Sequence, residues 1–387
     1  MLPNIKFNIS TGGLGRLQAD IQKIPGLVIT GKSVSTKVTI GNSYQLFSIQ
    51  EAESLGIDKT SNPFAHKHIK RFYDYAGEGA ELWIMLVSDA TTMAQMVDKS
   101  GVIAAKLIQD AGGKIRVLGI IKESTGTETS TNGLDADVDA AVIASQDLAD
   151  YFAEKYYPFR IIISGNNFTG SATDLKDYST TAYNRVSVLL SNTDGGKEAG
   201  IGLALARLAS IPVQRNIGRV KDGPVEDIQA YFTSGVKVES NSTFWETMHS
   251  KSYIILRNYV GRAGFFFSDD PTCTKVEDDF KSLANGFVMD KAILIAYNTL
   301  VNELLDEVPV TKAGTIHPAI IKNWQANVKS QLSGLMIATG ELSGCDVFID
   351  DKQNILTTGI LNIRMALQPV GYAKYIIVNI GFTTNIE

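Results

Sequence analysis

Leu361, Ile363, Met365 and Leu367 alternate with Asn362, Arg364 and Gln368, the period of a strand with one buried face. Pro369-Val370-Gly371 breaks that strand, and a second β-prone run, Tyr375 to Phe382, follows it. Upstream, Glu81 to Val87, Lys114 to Ile121, Phe159 to Ile163 and Arg185 to Leu190 read as short apolar strands. Helical periods follow them over Ala90 to Ala111 (interrupted near Gly101), Val138 to Lys155 and Gly200 to Ser210. This alternation predicts an α/β fold: a parallel or mixed sheet with helices on its faces. Around that core the pattern predicts strands over Val34 to Gly41 and Tyr44 to Ile49, and helices over Glu51 to Gly56 and Pro63 to Ala76. After the loop-rich crossing from Pro212 to Pro224 it predicts a helix over Val225 to Ser234 and a strand over Ser252 to Arg257. Two long helices come next, Val276 to Asp306 with a break near Gly286, and Pro318 to about Thr339; a β-rich ending begins at Cys345 to Ile349.

At 387 residues the chain is too long for one ordinary core. With 44% hydrophobic and 20% charged residues it reads as a soluble globular protein, and no apolar run approaches the roughly 20 residues that span a bilayer. The start, Met1-Leu-Pro-Asn-Ile-Lys-Phe, lacks the charged-then-apolar pattern of a secretion signal. Cys273 and Cys345 stand far apart, so a reduced, cytosolic life is expected. A net charge of −5 with scattered Lys and Arg gives no footprint for nucleic acid.

Catalytic chemistry is hard to assemble from these residues. His66 and His68 are two apart in a helical segment, which points them to different sides, and surface positions are expected for both. Gly12-Gly-Leu-Gly15 lacks the later glycine of a dinucleotide loop, and Gly165-Asn-Asn-Phe-Thr-Gly170 lacks the phosphate-binding lysine. Gly195-Gly-Lys197 with Gly200 and Gly202 is the best nucleotide-type turn, since it follows a strand and opens a helix. Its plainer reading is a tight turn into a close-packed helix. Turn chemistry explains the carboxylate pairs Asp269-Asp270 and Asp350-Asp351, and a helix start explains Asp278-Asp279. No nucleophile, metal set or acid–base pair emerges, so no cofactor and no enzyme activity is expected.

The tail from Tyr375 to Phe382 is the unexplained feature. Chain ends are normally polar, and a run containing Tyr375, Ile376, Ile377, Val378, Ile380 and Phe382 left in water invites aggregation. It must dock on its own domain or on a neighbouring copy.

The order of segments supplies a context. Asn62-Pro-Phe-Ala-His-Lys-His-Ile-Lys-Arg-Phe-Tyr73 leading to Ala80-Glu-Leu-Trp-Ile-Met85 resembles the helix-then-strand approach to the α/β domain of contractile phage-tail sheath proteins. Glu198 to Pro212 is similar to the small-residue helix that leaves that domain. Ala230 to Val236 with Tyr253-Ile-Ile-Leu-Arg257, the helices around Phe280 to Leu305 and Val328 to Leu335, and the strand-Pro-Val-Gly-strand ending resemble later parts of the same family. Tyr259-Val-Gly261 departs from it where many sheaths carry a Thr-Thr pair, as a divergent branch would.

The resemblance implies an α+β C-terminal core with an inserted α/β domain and extended N- and C-terminal β arms. The corresponding divisions are an arm and loop at 1–30, a start of core or linker at 31–79, the inserted domain at 80–211, the core at 212–368 and the arm at 369–387. It implies stacked, hexameric rings around an inner tube, with baseplate and terminator proteins at the ends, in a virion tail or extracellular injection particle assembled in the bacterial cytoplasm. No nucleic acid and no direct membrane insertion are implied. Strand exchange with neighbouring subunits would use Ile5, Phe7 and Ile9 at one end and Tyr375, Ile376, Ile377, Val378, Ile380 and Phe382 at the other, with Pro369 and Gly371 as hinge. Lys322 and Lys329 would face the inner tube. The alternatives are a nucleotide-binding α/β enzyme using Gly195 to Gly202, and a non-contractile assembly built by strand exchange.

Overall fold

The computed structural model describes residues 23–226, 228–378 and 380–382. Its contacts divide the chain into two compact units, residues 1–291 and 292–387. The first unit is built on β1 (Ile24–Thr30), β2 (Ser43–Leu46), β3 (Leu82–Val87), β4 (Ile115–Ile121), β5 (Arg160–Ser164), β6 (Val186–Leu189) and β7 (Tyr253–Ile254). These form one sheet in the order β7-β6-β5-β4-β1-β3-β2, parallel throughout except for β2, which runs antiparallel to β3. The apolar runs of β1, β3, β4, β5 and β6 are almost wholly buried, as strands covered on both faces require.

The sheet reaches outside the stretch from 80 to 211 in which the alternation is strongest. One of its interior strands, β1, carries Pro25 and Gly26, residues that read as breakers. Pro25 sits at a register shift against β4. A Cβ on Gly26 would lie 2.9 Å from Ile115 Cδ1, so glycine is what lets β1 pass close beside β4's side chains.

Helices α1 (Pro63–Ala76), α2 (Ala136–Ala153) and α3 (Ile201–Ala209) belong to the same unit. α1 starts on Pro63, whose missing N–H costs nothing in the first turn. α2 starts on Asp135, whose side chain accepts from Asp137 N. The expected helix over Ala90 to Ala111 is two short ones, Met93–Met96 and Ala104–Asp110.

Two elements expected in the first unit are absent among the described residues. Val34 to Gly41 is a loop, with Thr36 at φ 60° and Val34 N bonded to Val38 O at 2.8 Å. The described residues of Val225 to Ser234 are not helical, because the backbone of Val225 and Glu226 is drawn to a hairpin formed by β8 (Leu256–Tyr259) and β9 (Arg262–Phe267). Val225 N donates to Phe265 O and Phe265 N to Glu226 O, at 2.8 and 2.7 Å.

α4 (Leu283–Leu300) is continuous through Gly286, where a break was expected. The glycine makes room for a guanidinium: a Cβ there would lie 2.2 Å from Arg160 Cζ. Arg160 holds Asp290 in a two-pronged pair (Nε–Oδ2 2.8 Å, Nη2–Oδ1 3.1 Å), with both side chains 2% exposed and Arg185 Nη1 adding a third contact at 3.3 Å.

The second unit contains α5 (Pro318–Leu332), extended by one π-helical turn over Ser333–Ile337, and a two-stranded antiparallel hairpin of β10 (Leu342–Ile349) and β11 (Ile363–Pro369). Ile316, Ile321, Trp324 and Ile349 form its buried cluster, with Leu361 and Ile363 packed against it. No helix among the described residues is long and apolar enough to cross a membrane.

Candidate assembly surface

The glycine turn before α3 is filled by the chain itself. Asn192 Nδ2 donates to the carbonyls of Gly196 and Glu198, and its Oδ1 accepts from Gly195 N. Lys197 Nζ donates to Ser234 O at 3.0 Å, and Ala199 N donates to Ser164 Oγ at 2.8 Å. Gly202 marks a close helix crossing: a Cβ would stand 2.1 Å from His68 O on α1. The glycines at 195, 200 and 202 thus serve turn and packing. In the other loop, a Cβ on Gly165 would meet Leu190 at 2.5 Å. Gly12 to Gly15 lie outside the described residues.

Both histidines of α1 are buried, against the surface expectation. His66 Nε2 meets Glu53 Oε1 at 2.9 Å, and His68 packs edge-on against Phe64. Asp269 and Asp270 are buried as well. Asp270 accepts from Ser282 Oγ and Ala284 N at the start of α4, and Asn216 Nδ2 bridges both carboxylates.

The hairpin of the second unit presents two different rows. Cys345, Val347 and Ile349 on β10 face Leu367, Met365 and Ile363 on β11 across the ladder. These lie on the side that α5 covers with Ile321, Trp324, Val328 and Leu332. The opposite row, Asp346, Phe348, Arg364, Ala366 and Gln368, is exposed.

Cover is uneven. Val347 and Ile349 on β10 are buried, whereas Ile363, Met365 and Leu367 on β11 are only half-buried. Among the described residues β11 pairs with β10 alone, so its other edge carries open backbone donors and acceptors beside a half-covered apolar row.

After Pro369 the described residues take no regular structure. The strand expected over Tyr375 to Phe382 is absent among the described residues, none of which pairs with it. Tyr375, Ile376, Ile377, Val378, Ile380 and Phe382 are exposed, Phe382 at 112% and Ile380 at 95% of full accessibility. Gly371, exposed, has open space where a Cβ would go. Ile5, Phe7 and Ile9 lie outside the described residues.

Lys322 and Lys329 both lie on the exposed side of α5. Lys329 pairs with Asp346 of β10 at 3.0 Å, which holds that carboxyl below its usual range.

Residues 2–271, well over half of the chain, match the family described as DUF2586, N-terminal domain. The chain belongs to that family. No functionally curated protein matches it. Among solved structures it is similar to the helical sheath of the anti-feeding prophage in its contracted state, with a TM-score of 0.63 and 14% identity over 100% of this chain and 99% of that one. The contracted sheath complex of the PVC extracellular contractile injection system gives 0.60 and 12%, over 100% and 98%. A sheath tail protein from Desulfitobacterium hafniense gives 0.50 and 7%, over 96% and 100%. At these identities the likeness establishes the fold: an α/β chain with the architecture of contractile sheath proteins along its whole length.

Proposed function

We propose that this chain is the structural subunit of a contractile sheath, in a phage tail or an extracellular injection particle assembled in the bacterial cytoplasm. It polymerises as stacked hexameric rings around an inner tube, bounded by baseplate and terminator proteins. The observation that carries this reading is the exposed apolar tail joined to a hairpin with an unpaired edge, within a sheath-type fold. A tail added to a neighbour's sheet is held by main-chain hydrogen bonds and needs no special side-chain chemistry. Each such bond contributes about 1 kcal/mol net, and repetition through a lattice keeps subunits linked while their other contacts repack. Contraction is then the relaxation of a higher-energy lattice into a second packing. No catalytic step enters this account.

Electron microscopy of the purified protein tests it. The full chain should form tubes or rings, and a chain truncated after Gly371 should stay folded and soluble without forming them. Normal assembly by the truncated chain would remove the tail from the proposal, and a full chain that stays a small particle at all concentrations would remove the sheath.

A further inference from the structure

We infer that the tip of the β8–β9 hairpin, anchored by Arg257, docks on the loop from Leu304 to Glu307 of a second copy of the chain. The contact presupposes the assembly proposed above, and it uses neither the tail nor β11.

Arg257 carries the argument. Its Cζ lies 4.4 Å from the centre of the Tyr259 ring and 5.3 Å from that of Trp245, so two aromatic rings hold the guanidinium. The rings are themselves fixed: Trp245 Nε1 donates to Val238 O at 3.0 Å, and Tyr259 meets Phe266 edge-on at 5.5 Å. The hydrogen bond of Arg257 Nε to Asn258 O is long, at 3.5 Å, and neither terminal nitrogen has a partner among the described residues. Two other arginines that lie over rings are completed within the chain. Arg160, over Phe280, holds Asp290. Arg207, over Tyr75, reaches the Asp222 carboxylate at 4.0 Å and the Asp222 carbonyl at 3.1 Å. Arg257 has the stacking without the carboxylate. A guanidinium held by its faces offers its edge, which suits a planar, bidentate acceptor.

The surroundings extend the pattern. Val260 at the hairpin apex is 107% exposed, and Gly261 at φ 76° supplies the positive φ of the turn. Arg262, opposite Tyr259 across the ladder, is exposed and has no ion pair among the described residues. The tip thus offers a bare apolar side chain together with two cations that lack a carboxylate. Another loop offers the complement. Leu304 and Leu305 are 68% and 104% exposed, and the exposed Asp306 and Glu307 follow them. Leu305 stands at φ 64°, a backbone that leucine rarely adopts, with its side chain fully in water. The loop is braced at its base, where Trp324 Nε1 donates to Glu303 Oε2 at 2.7 Å.

Two cations around an apolar apex therefore match two carboxylates beside an apolar pair. The Trp, Tyr and Arg of the tip are also the residue types that anchor protein interfaces. The two patches differ, so the contact is heterologous and propagates from copy to copy, as a ring or a helical lattice requires. It is too small to hold two subunits by itself, and repetition beside the strand exchange gives it weight.

Assembly of the full chain at low salt, followed by light scattering and electron microscopy, tests this. Arg257→Glu should raise the critical concentration for assembly at least about 10-fold, and Glu307→Arg, which leaves the stacked rings untouched, should do the same. Both changes in one chain should bring it back to within about 3-fold of the parent, because each copy then meets its neighbour with the charges exchanged. Raised salt should narrow these differences. A Val260→Cys chain mixed with a Leu305→Cys chain, both in a Cys345→Ser background, should form a disulfide between the two kinds of chain in assemblies and none in dilute subunit.

Normal assembly by both charge variants, with no link between the two kinds of chain, would overturn the contact and leave the sheath reading standing. So would a defect of Arg257→Glu that Glu307→Arg does not share and the double variant does not relieve, since the arginine would then act on its own fold alone. A defect that appears only with tube protein present would overturn it in favour of that partner. Should Arg257→Glu misfold, Glu307→Arg and the cysteine link decide. A full chain that stays a small particle at every concentration would overturn both the contact and the sheath.

Discussion

His68 stacks edge-on against Phe64 at a centroid distance of 5.0 Å, is 5% exposed, and its Nε2 has no hydrogen-bond partner. Burial, reinforced by the charge of Lys67 and opposed by Asp194, drives its pKa down to about 3. The folded state therefore keeps the ring neutral while the unfolded chain takes up a proton below its ordinary pKa near 6.5. Stability is full above that value and falls as pH drops toward about 3, by at most about 1.4 kcal/mol per pH unit from this group. Urea unfolding at pH 7 and pH 5 checks it: His68→Gln should lose less stability across that interval than the parent. Asp290 offers a sharper test. Asp290→Ala leaves Arg160 buried without its carboxylate, and about 3–5 kcal/mol of lost stability is expected by denaturant titration. Neither group's environment was legible in the sequence. The i, i+2 spacing of His66 and His68 points them apart, but α1 is enclosed on several sides at once, with Phe64, Ala65, Ile69, Phe72 and Tyr73 also buried. A helical period alone says nothing of a second covered side.

The crossing of α1 and α3 depends on Gly202, because no side chain fits between α3 and the carbonyl of His68. Gly202→Ala puts a methyl against backbone, which cannot rotate away. A loss of about 3 kcal/mol is expected from chemical denaturation, against near neutrality for an alanine placed at Gly112, where φ is +61° but no atom lies within 4 Å, apart from the milder cost of the left-handed backbone. The small-residue helix from Gly200 to Ser210 was readable as an element, and so were β3, β4, β5 and β6, whose apolar runs are bounded by turn residues. β1 was not readable, since Ile24-Pro-Gly-Leu-Val-Ile-Thr30 carries two breakers whose fit comes from a long-range register with Ile115 and Leu118. The same limit applies to Val225 to Ser234, where pairing with Phe265 overrides local helical tendency. The tail was legible as an anomaly, but the half-covered row on β11 appears only once α5 is placed over β10.

For the assembled particle, the polar side of α5 is the place where the proposed inner-tube contact can be probed without disturbing the subunit. Lys329 is a poor probe, because it already holds Asp346 at 3.0 Å, and reversing its charge would set two carboxylates together on the hairpin. Lys322 has no ion pair among the described residues and lies exposed one residue after the buried Ile321. Lys322→Glu should leave the fold intact, within about 0.5 kcal/mol, while changing by two units the charge offered to anything facing that side of the helix. If the face meets an acidic tube surface, the variant should form fewer sheathed tubes than the parent when mixed with the tube protein. The deficit should shrink as salt is raised and the exposed charges are screened over about 8–10 Å. Sheath formation in the absence of tube should be unaffected, since the proposed strand exchange runs through β11 and the tail. Equal tube-templated assembly by parent and variant at low salt would place the inner contact elsewhere on the subunit.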